Sequence, residues 1–214
     1  RRELLGFNVY DNESNPTWFD FLVDLKNRGL HGTLMITSDA HPAILNAITK
    51  VFPGVPWQRC QFHFMRNILD VTPTKEQAGL AIELREMFSS RTLKEATQRK
   101  QEIQKDYGSI APHAVDILEQ GFEDTMTVMA LPEEVRVHLR TSNALERVNK
   151  ELKRRSDVIK VFPNAPSLLR LMGAVLIEYN QALSVKKMLF YKKTPESLST
   201  ELRNVLEKIA FAQK

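Results

Sequence analysis

Two acidic residues, Asp39 and Glu146, stand in surroundings where a carboxylate could bind a metal ion. Asp39 follows the short apolar run of residues 33–37, which is typical of a buried strand, and precedes a helix that Pro42 is expected to open. In open α/β sheets, ligands bind beyond the carboxyl ends of the strands, so a carboxylate here could hold a hard divalent cation. A local alternative stays open, in which Ser38 or Asp39 only caps the helix.

Glu146 lies near the start of a basic helix that is predicted to begin at Asn143. Residues 140–160 include seven basic and three acidic residues, an excess of +4 that equals the net charge of the whole chain. On a helix, Glu146 shares one face with Lys150 and Lys153, and a carboxylate beside cations suits a metal ion next to phosphate. Two alternatives stay open: Asn143 and Glu146 form a capping box, or the segment is an ordinary solvated helix.

A cysteine and a histidine, Cys60 and His63, have the spacing of half a metal site. A structural zinc site needs two more ligands, and the chain has no second cysteine and no pairing among its other histidines. A nucleophilic cysteine is a further possibility, but no oxyanion-hole signature accompanies it. A strand predicted within residues 55–64 explains the pair without chemistry, because alternation puts Cys60 and His63 on opposite faces.

The elements around these residues change character along the chain. Strand-like runs at residues 4–10, 33–37 and 55–64 alternate with helices that begin near Asn15 and Pro42, which predicts an α/β layer with some parallel pairing. Charged helical patterns follow from about residue 71. They predict helices over residues 75–88, 93–107, 111–129, 143–160, 167–183 and 195–209.

The composition is that of a folded protein with a mild preference for anionic partners. The 214 residues are 43% hydrophobic and 26% charged, with a net charge of +4. The single cysteine excludes an internal disulfide and fits a reducing cytoplasm. No signal peptide opens the chain, and the most apolar later run, residues 168–177, is too short to span a bilayer. The strand-like first residues, without a starting methionine, lead us to expect a fragment of a longer protein.

Three segments together resemble the Mutator-type transposases of bacterial insertion sequences. They are S-D-A-H at residues 38–41, W-Q-R-C-Q-F-H-F-M-R-N at residues 57–67, and T-S-N-A-L-E-R-V-N-K-E-L-K-R-R at residues 141–155. The first is a weak signal by itself, whereas the second and third are specific. Their order and spacing agree with the family over nearly the whole chain.

The resemblance implies an α/β fold: an RNase H-like catalytic core with truncated N-terminal strands, an all-helical insertion and C-terminal helices. The first part of the core would be residues 1–70, the insertion residues 71–139, and the helical completion of the core residues 140–214. In the family's centre of three carboxylates (Asp, Asp, Glu), Asp39 matches the second aspartate and Glu146 the glutamate. Cys60 and His63 match a family motif near the active site.

The first aspartate of the family lies upstream of the segment that matches residues 2–7. The chain is therefore expected to lack one catalytic carboxylate and to be inactive by itself. Asp11 is not expected to be a substitute, because it stands at the wrong motif position and in a segment, residues 11–15, whose composition is typical of a polar turn.

The resemblance also implies a function, that of a transposase that cleaves transposon ends and transfers the strands with Mg²⁺, or Mn²⁺ in its place, bound by Asp39 and Glu146. The partner would be double-stranded DNA, with the protein a homo-oligomer on DNA in the bacterial cytoplasm, associated with the nucleoid and not with a membrane. The residues expected to contact DNA are Arg66, Asn143, Arg147, Lys150, Lys153, Arg154 and Arg155. The alternatives are another RNase H-like nuclease, such as a resolvase, or a non-catalytic fragment for DNA binding or assembly.

Overall fold

The computed structural model describes residues 3–10, 12–159, 161–185 and 196–213, and within them the chain is mostly helical. The helices are α1 (Asn15–Asn27), α2 (Pro42–Val51), α3 (Gln61–Asp70), α4 (Thr74–Phe88), α5 (Leu93–Tyr107), α6 (Pro112–Met126), α7 (Glu133–Leu139), α8 (Asn143–Ile159), α9 (Ala165–Val185) and α10 (Glu196–Ala212). The other elements are two short strands, β1 (Ile36–Ser38) and β2 (Trp57–Arg59), and a 3₁₀ helix (Thr127–Ala130).

The two strands pair in parallel, as the sequence predicts, and the structure gives their register, with Ile36 opposite Trp57 and Ser38 opposite Arg59. The larger RNase H-like α/β core is not confirmed, since these strands form the whole sheet of the described residues. The strand predicted over residues 4–10 is wrong, because this segment has neither helix nor strand. Its apolar pattern suits a strand, but a strand is stable only where a neighbour completes its hydrogen bonds.

The predicted helices are confirmed with small shifts at their ends. The α5 helix covers the predicted residues 93–107, and α4 begins one residue before the predicted position. The helix predicted to reach residue 129 ends at Met126 and passes into the 3₁₀ helix. Outside the described residues lie Asp11, Lys160 and Pro195, together with residues 1, 2, 186–194 and 214 of the predicted domains.

The chain divides into two compact units. Unit 1 comprises residues 1–33, 41–53 and 143–199, and unit 2 comprises residues 34–40, 54–142 and 200–214. Unit 2 therefore contains both strands, helices α3 to α7 and most of α10, whereas unit 1 contains α1, α2, α8 and α9. The three domain ranges expected from the sequence stay a prediction. No helix in the described ranges has both the length and the apolar composition needed to cross a membrane.

Unit 2 is organised around an apolar core between α3, α4, α5 and α6. Phe64 and Leu84 are fully buried in this core. The α5 helix is very polar, and it joins the core through a narrow stripe formed by Ala96, Ile103 and Tyr107. Such a stripe at helical spacing turns the charged side of the helix to solvent.

Unit 1 has a thinner core, formed largely by α1 packing against α2. Leu22 on α1 and Ile48 on α2 are buried, whereas Trp18 on α1 is only half-buried. The Trp18 Nε1 donates a hydrogen bond to the exposed Glu13 carboxylate (2.9 Å). Among the residues of α8, only Val148 is buried and a few others, such as Leu152, are partly buried, so this helix presents most of its surface to solvent.

Candidate functional site

The carboxyl ends of β1 and β2 bring together segments of all three sequence motifs within unit 2. Cys60 N donates a hydrogen bond to Ser38 O just past the paired strands (2.7 Å). Next to it, Gln61 N donates to Arg140 O (3.0 Å), which holds the chain immediately before the third motif against the second. The motif residues are far apart in the sequence, but they meet at the carboxyl ends of the two strands because the strands are parallel.

Asp39 is the first residue after β1, and its side chain is exposed. The following helix, α2, is capped by His41, whose Nδ1 accepts a hydrogen bond from Ala43 N (3.3 Å). The local alternative, in which Ser38 or Asp39 caps this helix, is therefore wrong. Asp39 is an exposed carboxylate at the carboxyl end of a strand, the position at which sheets of this kind bind ligands.

Cys60 precedes α3 directly, so the predicted strand alternation through residues 55–64 is wrong beyond Arg59. Phe64 and Ile68, spaced i and i+4, direct this segment into a helix because both side chains enter the core of unit 2. The helix places the Cys60 Sγ and a ring nitrogen of His63 within 4.8 Å of each other. The pair supplies two of the four ligands that a structural zinc site takes.

The Cys60 sulfur also has a structural role. It is fully buried and accepts hydrogen bonds from both N and Oγ of Ser142, each 3.3 Å long. Since Ser142 is the residue before α8, the sulfur attaches the start of the third motif to the start of α3. The helix α8 begins at Asn143, and the capping box of Asn143 with Glu146 stays a prediction.

Two buried glutamines of the second motif hold the sheet edge to α6 and the 3₁₀ helix. Gln58 Nε2 and Gln61 Nε2 both donate to Thr125 O (2.8 and 2.9 Å), and Gln58 Oε1 accepts a hydrogen bond from Val128 N (2.6 Å). Gln58 thus has partners at both ends of its buried amide, which fixes the geometry of that side chain. The sequence by itself assigns no role to either glutamine. The signal available in the sequence was their position between the aromatic residues Trp57 and Phe62, where a polar side chain needs a partner if it is buried.

The side chain of Trp57 links the two strands, and its backbone is held by the C-terminal helix region. Its Nε1 donates to Ser38 Oγ (2.9 Å), which links β2 to the end of β1. The side chain of Gln213 pairs with the Trp57 backbone, accepting from its N (2.9 Å) and donating to its O (2.8 Å). The side-chain amide of Gln213 thus provides the hydrogen bonds that a neighbouring strand would provide, and it pairs both the N–H and the C=O of Trp57 at the start of β2.

Two charged residues of unit 2, Arg59 on β2 and Asp124 on α6, are half-buried and interact electrostatically. The Arg59 guanidinium lies over the Phe64 ring, 4.4 Å from its centroid, and a Cβ on Gly121 would overlap both side chains. Burial lowers the pKa of Arg59, while the Asp124 charge opposes that shift. Burial raises the pKa of Asp124, against a hydrogen bond from Gln213 and the charge of Arg59. These charges stabilise each other inside unit 2, which makes them part of the support for the site.

Glu146 lies in the first turn of α8, in unit 1, whereas Asp39, Cys60 and His63 lie in unit 2. Acidic residues in the first turn are favourable because the helix dipole is positive there. Of the residues expected to contact DNA, Arg66 lies on α3, is exposed, and has its Nε 3.8 Å from the Asp70 carboxylate. The remaining members of that set are on α8, and all are exposed; they are Asn143, Arg147, Lys150, Lys153, Arg154 and Arg155.

Comparison with known proteins places this arrangement in one family. A family model described as "Transposase, Mutator family" matches residues 1–184. The transposase for insertion sequence element ISRM5 of Rhizobium meliloti is 38% identical over 181 residues, covering 85% of this chain and 46% of that protein.

Two further relatives agree. The transposase for IS256 in transposon Tn4001 of Staphylococcus aureus is 38% identical, covering 83% of this chain and 46% of its own length. The transposase for IS1081 of Mycobacterium tuberculosis is 31% identical, covering 83% of this chain and 43% of its own. The chain thus spans less than half the length of these relatives.

Proposed function

Because the chain belongs to the Mutator family of transposases, we propose that it carries catalytic residues of a DNA transposase that cleaves transposon ends and transfers the cut strands to target DNA. The observation that carries this proposal is the sheet edge of unit 2, where Asp39 is exposed beside the second motif and the start of the third. Its relatives are named as transposases of insertion sequences, which supports the same class of reaction.

The chemistry proposed for Asp39 and Glu146 is divalent metal binding. Carboxylate oxygens are the side-chain ligands that Mg²⁺ prefers, and Mn²⁺ accepts the same ligands. Asp39 fits this role because it is exposed at a strand end and His41 already caps the adjoining helix. When bound, such ions supply electrostatic stabilisation at a reacting phosphodiester. The protein's own contribution is to hold each carboxylate, Asp39 by the sheet and Glu146 by the first turn of α8.

The cations of α8 are proposed to bind the DNA backbone. Lysine and arginine contacts to phosphate position a duplex without reading its sequence. The helix suits this role because it carries five exposed cations within nine residues, namely Arg147, Lys150, Lys153, Arg154 and Arg155. End recognition is assigned to no residue of this chain.

The proposal is tested by Glu146→Gln and Asp39→Asn in the complete protein. Each change keeps the size of the side chain but removes the charge that a metal ligand needs, so strand cleavage in the presence of Mg²⁺ or Mn²⁺ is expected to be abolished. Binding to double-stranded DNA is expected to persist, because the cations of α8 are untouched.

Asp157→Asn is the matched control, since it removes one carboxylate charge from the same helix and is expected to leave cleavage intact. Retained cleavage in Glu146→Gln would show that this glutamate is not part of the catalytic centre. If the unaltered complete protein bound DNA but cut none, the non-catalytic DNA-binding function would be the correct one.

A further inference from the structure

The cations of α8 fall into two classes. Arg154 and Arg155 both bind the carboxylate of Glu151 on the same helix. By contrast, Arg147, Lys150 and Lys153 form no ion pair with any residue that the structure describes. A single acidic residue therefore separates two arginines from the other cations of the predicted DNA-binding surface.

The contacts of Glu151 occupy its carboxylate on several sides. Arg154 donates from Nε to Oε2 (2.9 Å) and from Nη2 to Oε1 (2.7 Å), the two-pronged geometry that guanidinium groups also use for phosphate. Arg155 donates from Nε to Oε1 (3.0 Å). These hydrogen bonds, first from Arg154 and then from Arg155, lower the pKa of Glu151 to about 2, so the carboxylate is ionised at neutral pH.

We propose that Glu151 is an internal competitor for DNA phosphate, which occupies the phosphate-binding side of Arg154 and reduces the contribution of Arg154 and Arg155 to DNA binding. The inference rests on the proposed function, since it concerns the same interface. A phosphate that used the Nε and Nη2 of Arg154 would have to displace the Glu151 carboxylate. The negative charge of Glu151 also repels a phosphate approaching either arginine.

The competition has a consequence for how the surface works. Arg147, Lys150 and Lys153 are available to any duplex that approaches, whereas Arg154 and Arg155 add their contacts only when a phosphate displaces Glu151. Exposed ion pairs on a helix are weak, so the displacement is within reach of a well-placed phosphate. The competition therefore lowers the affinity for non-specific DNA, and Arg154 and Arg155 contact phosphate only in a complex whose geometry brings a phosphate to them.

Glu151→Gln tests the inference, with Asp157→Asn as the matched control. Both changes remove one negative charge from α8, but Asp157 makes no hydrogen bond or ion pair with the described residues, so only Glu151→Gln releases arginines. Binding to a short double-stranded DNA of mixed sequence is measured over a range of salt concentrations. Glu151→Gln is expected to tighten binding about fivefold at low salt and to steepen the salt dependence by about 1 to 2 in slope, the value for one or two added phosphate contacts.

A double-mutant cycle completes the test. Arg154→Ala is expected to weaken binding only slightly in the unaltered chain and clearly more in the Glu151→Gln background, because the arginine contacts phosphate freely only there. Far-ultraviolet circular dichroism of each variant checks that the helix is retained.

The outcomes separate the inference from the proposed function. If Glu151→Gln and Asp157→Asn tighten binding equally, the effect is one of net charge alone and the inference is overturned. If Glu151→Gln weakens binding, the carboxylate positions the arginines for DNA and the inference is again wrong. If the unaltered chain binds no double-stranded DNA even at low salt, the DNA-binding part of the proposed function fails, and the inference fails with it.

Discussion

The two units of this chain are built in contrasting ways. The largest side chains with almost no exposure, among them Phe64, Leu80 and Leu84, all belong to unit 2. Unit 1 instead contains an open groove of about 1340 Å³ lined largely by apolar side chains such as Phe7 and Phe21. Its helix α8 buries only Val148 among its described residues.

The difference matches the roles proposed for Asp39 in unit 2 and for the cations of α8 in unit 1, although Glu146, the second proposed metal ligand, also lies on α8. A metal-binding carboxylate must be held in place, and Asp39 follows a strand in the densely packed unit, where buried hydrogen bonds of Gln58 and Gln61 support the sheet edge. Contacts to a phosphate backbone tolerate more freedom, because they act through charge and not through one exact geometry. The cations of α8 are accordingly carried by a helix with little burial.

The largest expected effect comes from breaking the core of unit 2. Leu84→Ala removes a fully buried side chain and is expected to lower the free energy of unfolding by about 2–5 kcal/mol, the range for leucine deletions in well-packed cores. Chemical denaturation measures the change. Ile82→Ala on the same helix is the control, because Ile82 is 56% exposed and its loss is expected to cost less than about 0.5 kcal/mol. Equal costs for the two variants would contradict the assigned core.

A smaller effect is expected from the buried hydrogen bonds beside the site. Gln58→Ala leaves Val128 N without its acceptor and removes one donor to Thr125 O, which is expected to lower the free energy of unfolding by about 1–3 kcal/mol. Denaturation again provides the measurement. Gln101→Ala, at an exposed position of α5, is the control and is expected to be nearly neutral. A neutral Gln58→Ala would mean that the amide does not hold α6 to the sheet edge.

In unit 1, the corresponding position is Val148, the one buried side chain among the described residues of α8. Val148→Ala is expected to cost about 1–2 kcal/mol, roughly the value of the two methyl groups withdrawn from burial, and to reduce the protection of α8 amides against hydrogen exchange. Val158→Ala on the same helix, 77% exposed, is expected to change neither quantity. Full protection of α8 in Val148→Ala would show that the helix has other anchors.

The smallest expected effect concerns DNA affinity. Lys153→Ala is expected to weaken binding to all duplex sequences alike and to lower the slope of affinity against salt by about 1, the value for one phosphate contact. Lys105→Ala removes the same charge from an exposed position of α5 in unit 2 and serves as the control. If both variants lowered the slope equally, Lys153 would act through net charge and not as a contact.

Parts of the site could be predicted from the sequence because their causes are local or carried by motifs. Asp39 was expected just past a strand, and β1 ends one residue before it. Glu146 was expected at the start of a helix, and it lies in the first turn of α8. The roles of Gln58, Gln61 and Gln213 could not be predicted, since their partners are 64 or more residues away in the chain.

Two wrong predictions have the same physical origin. The alternation around Cys60 and His63 resembles a strand, but the burial of Phe64 and Ile68 against distant helices outweighs that local preference and produces α3. Residues 4–10 also resemble a strand, but the described residues provide no strand to pair with them. A local sequence pattern shows which secondary structures a segment can adopt, and the contacts of that segment in the folded protein determine which of them is stable.

The sequence by itself determined most of the helices, though not α3 or α7, since apolar residues at helical spacing and their flanking turns act within a few residues of each other. It also determined the family, through three motifs whose order could be read directly. Only the tertiary structure decided that Cys60 is an acceptor for Ser142, which lies 82 residues further along the chain, and that the side chain of Gln213 pairs with the backbone of Trp57. These are choices among partners, and a polar side chain with several possible partners is assigned one only when folding fixes the distances between them.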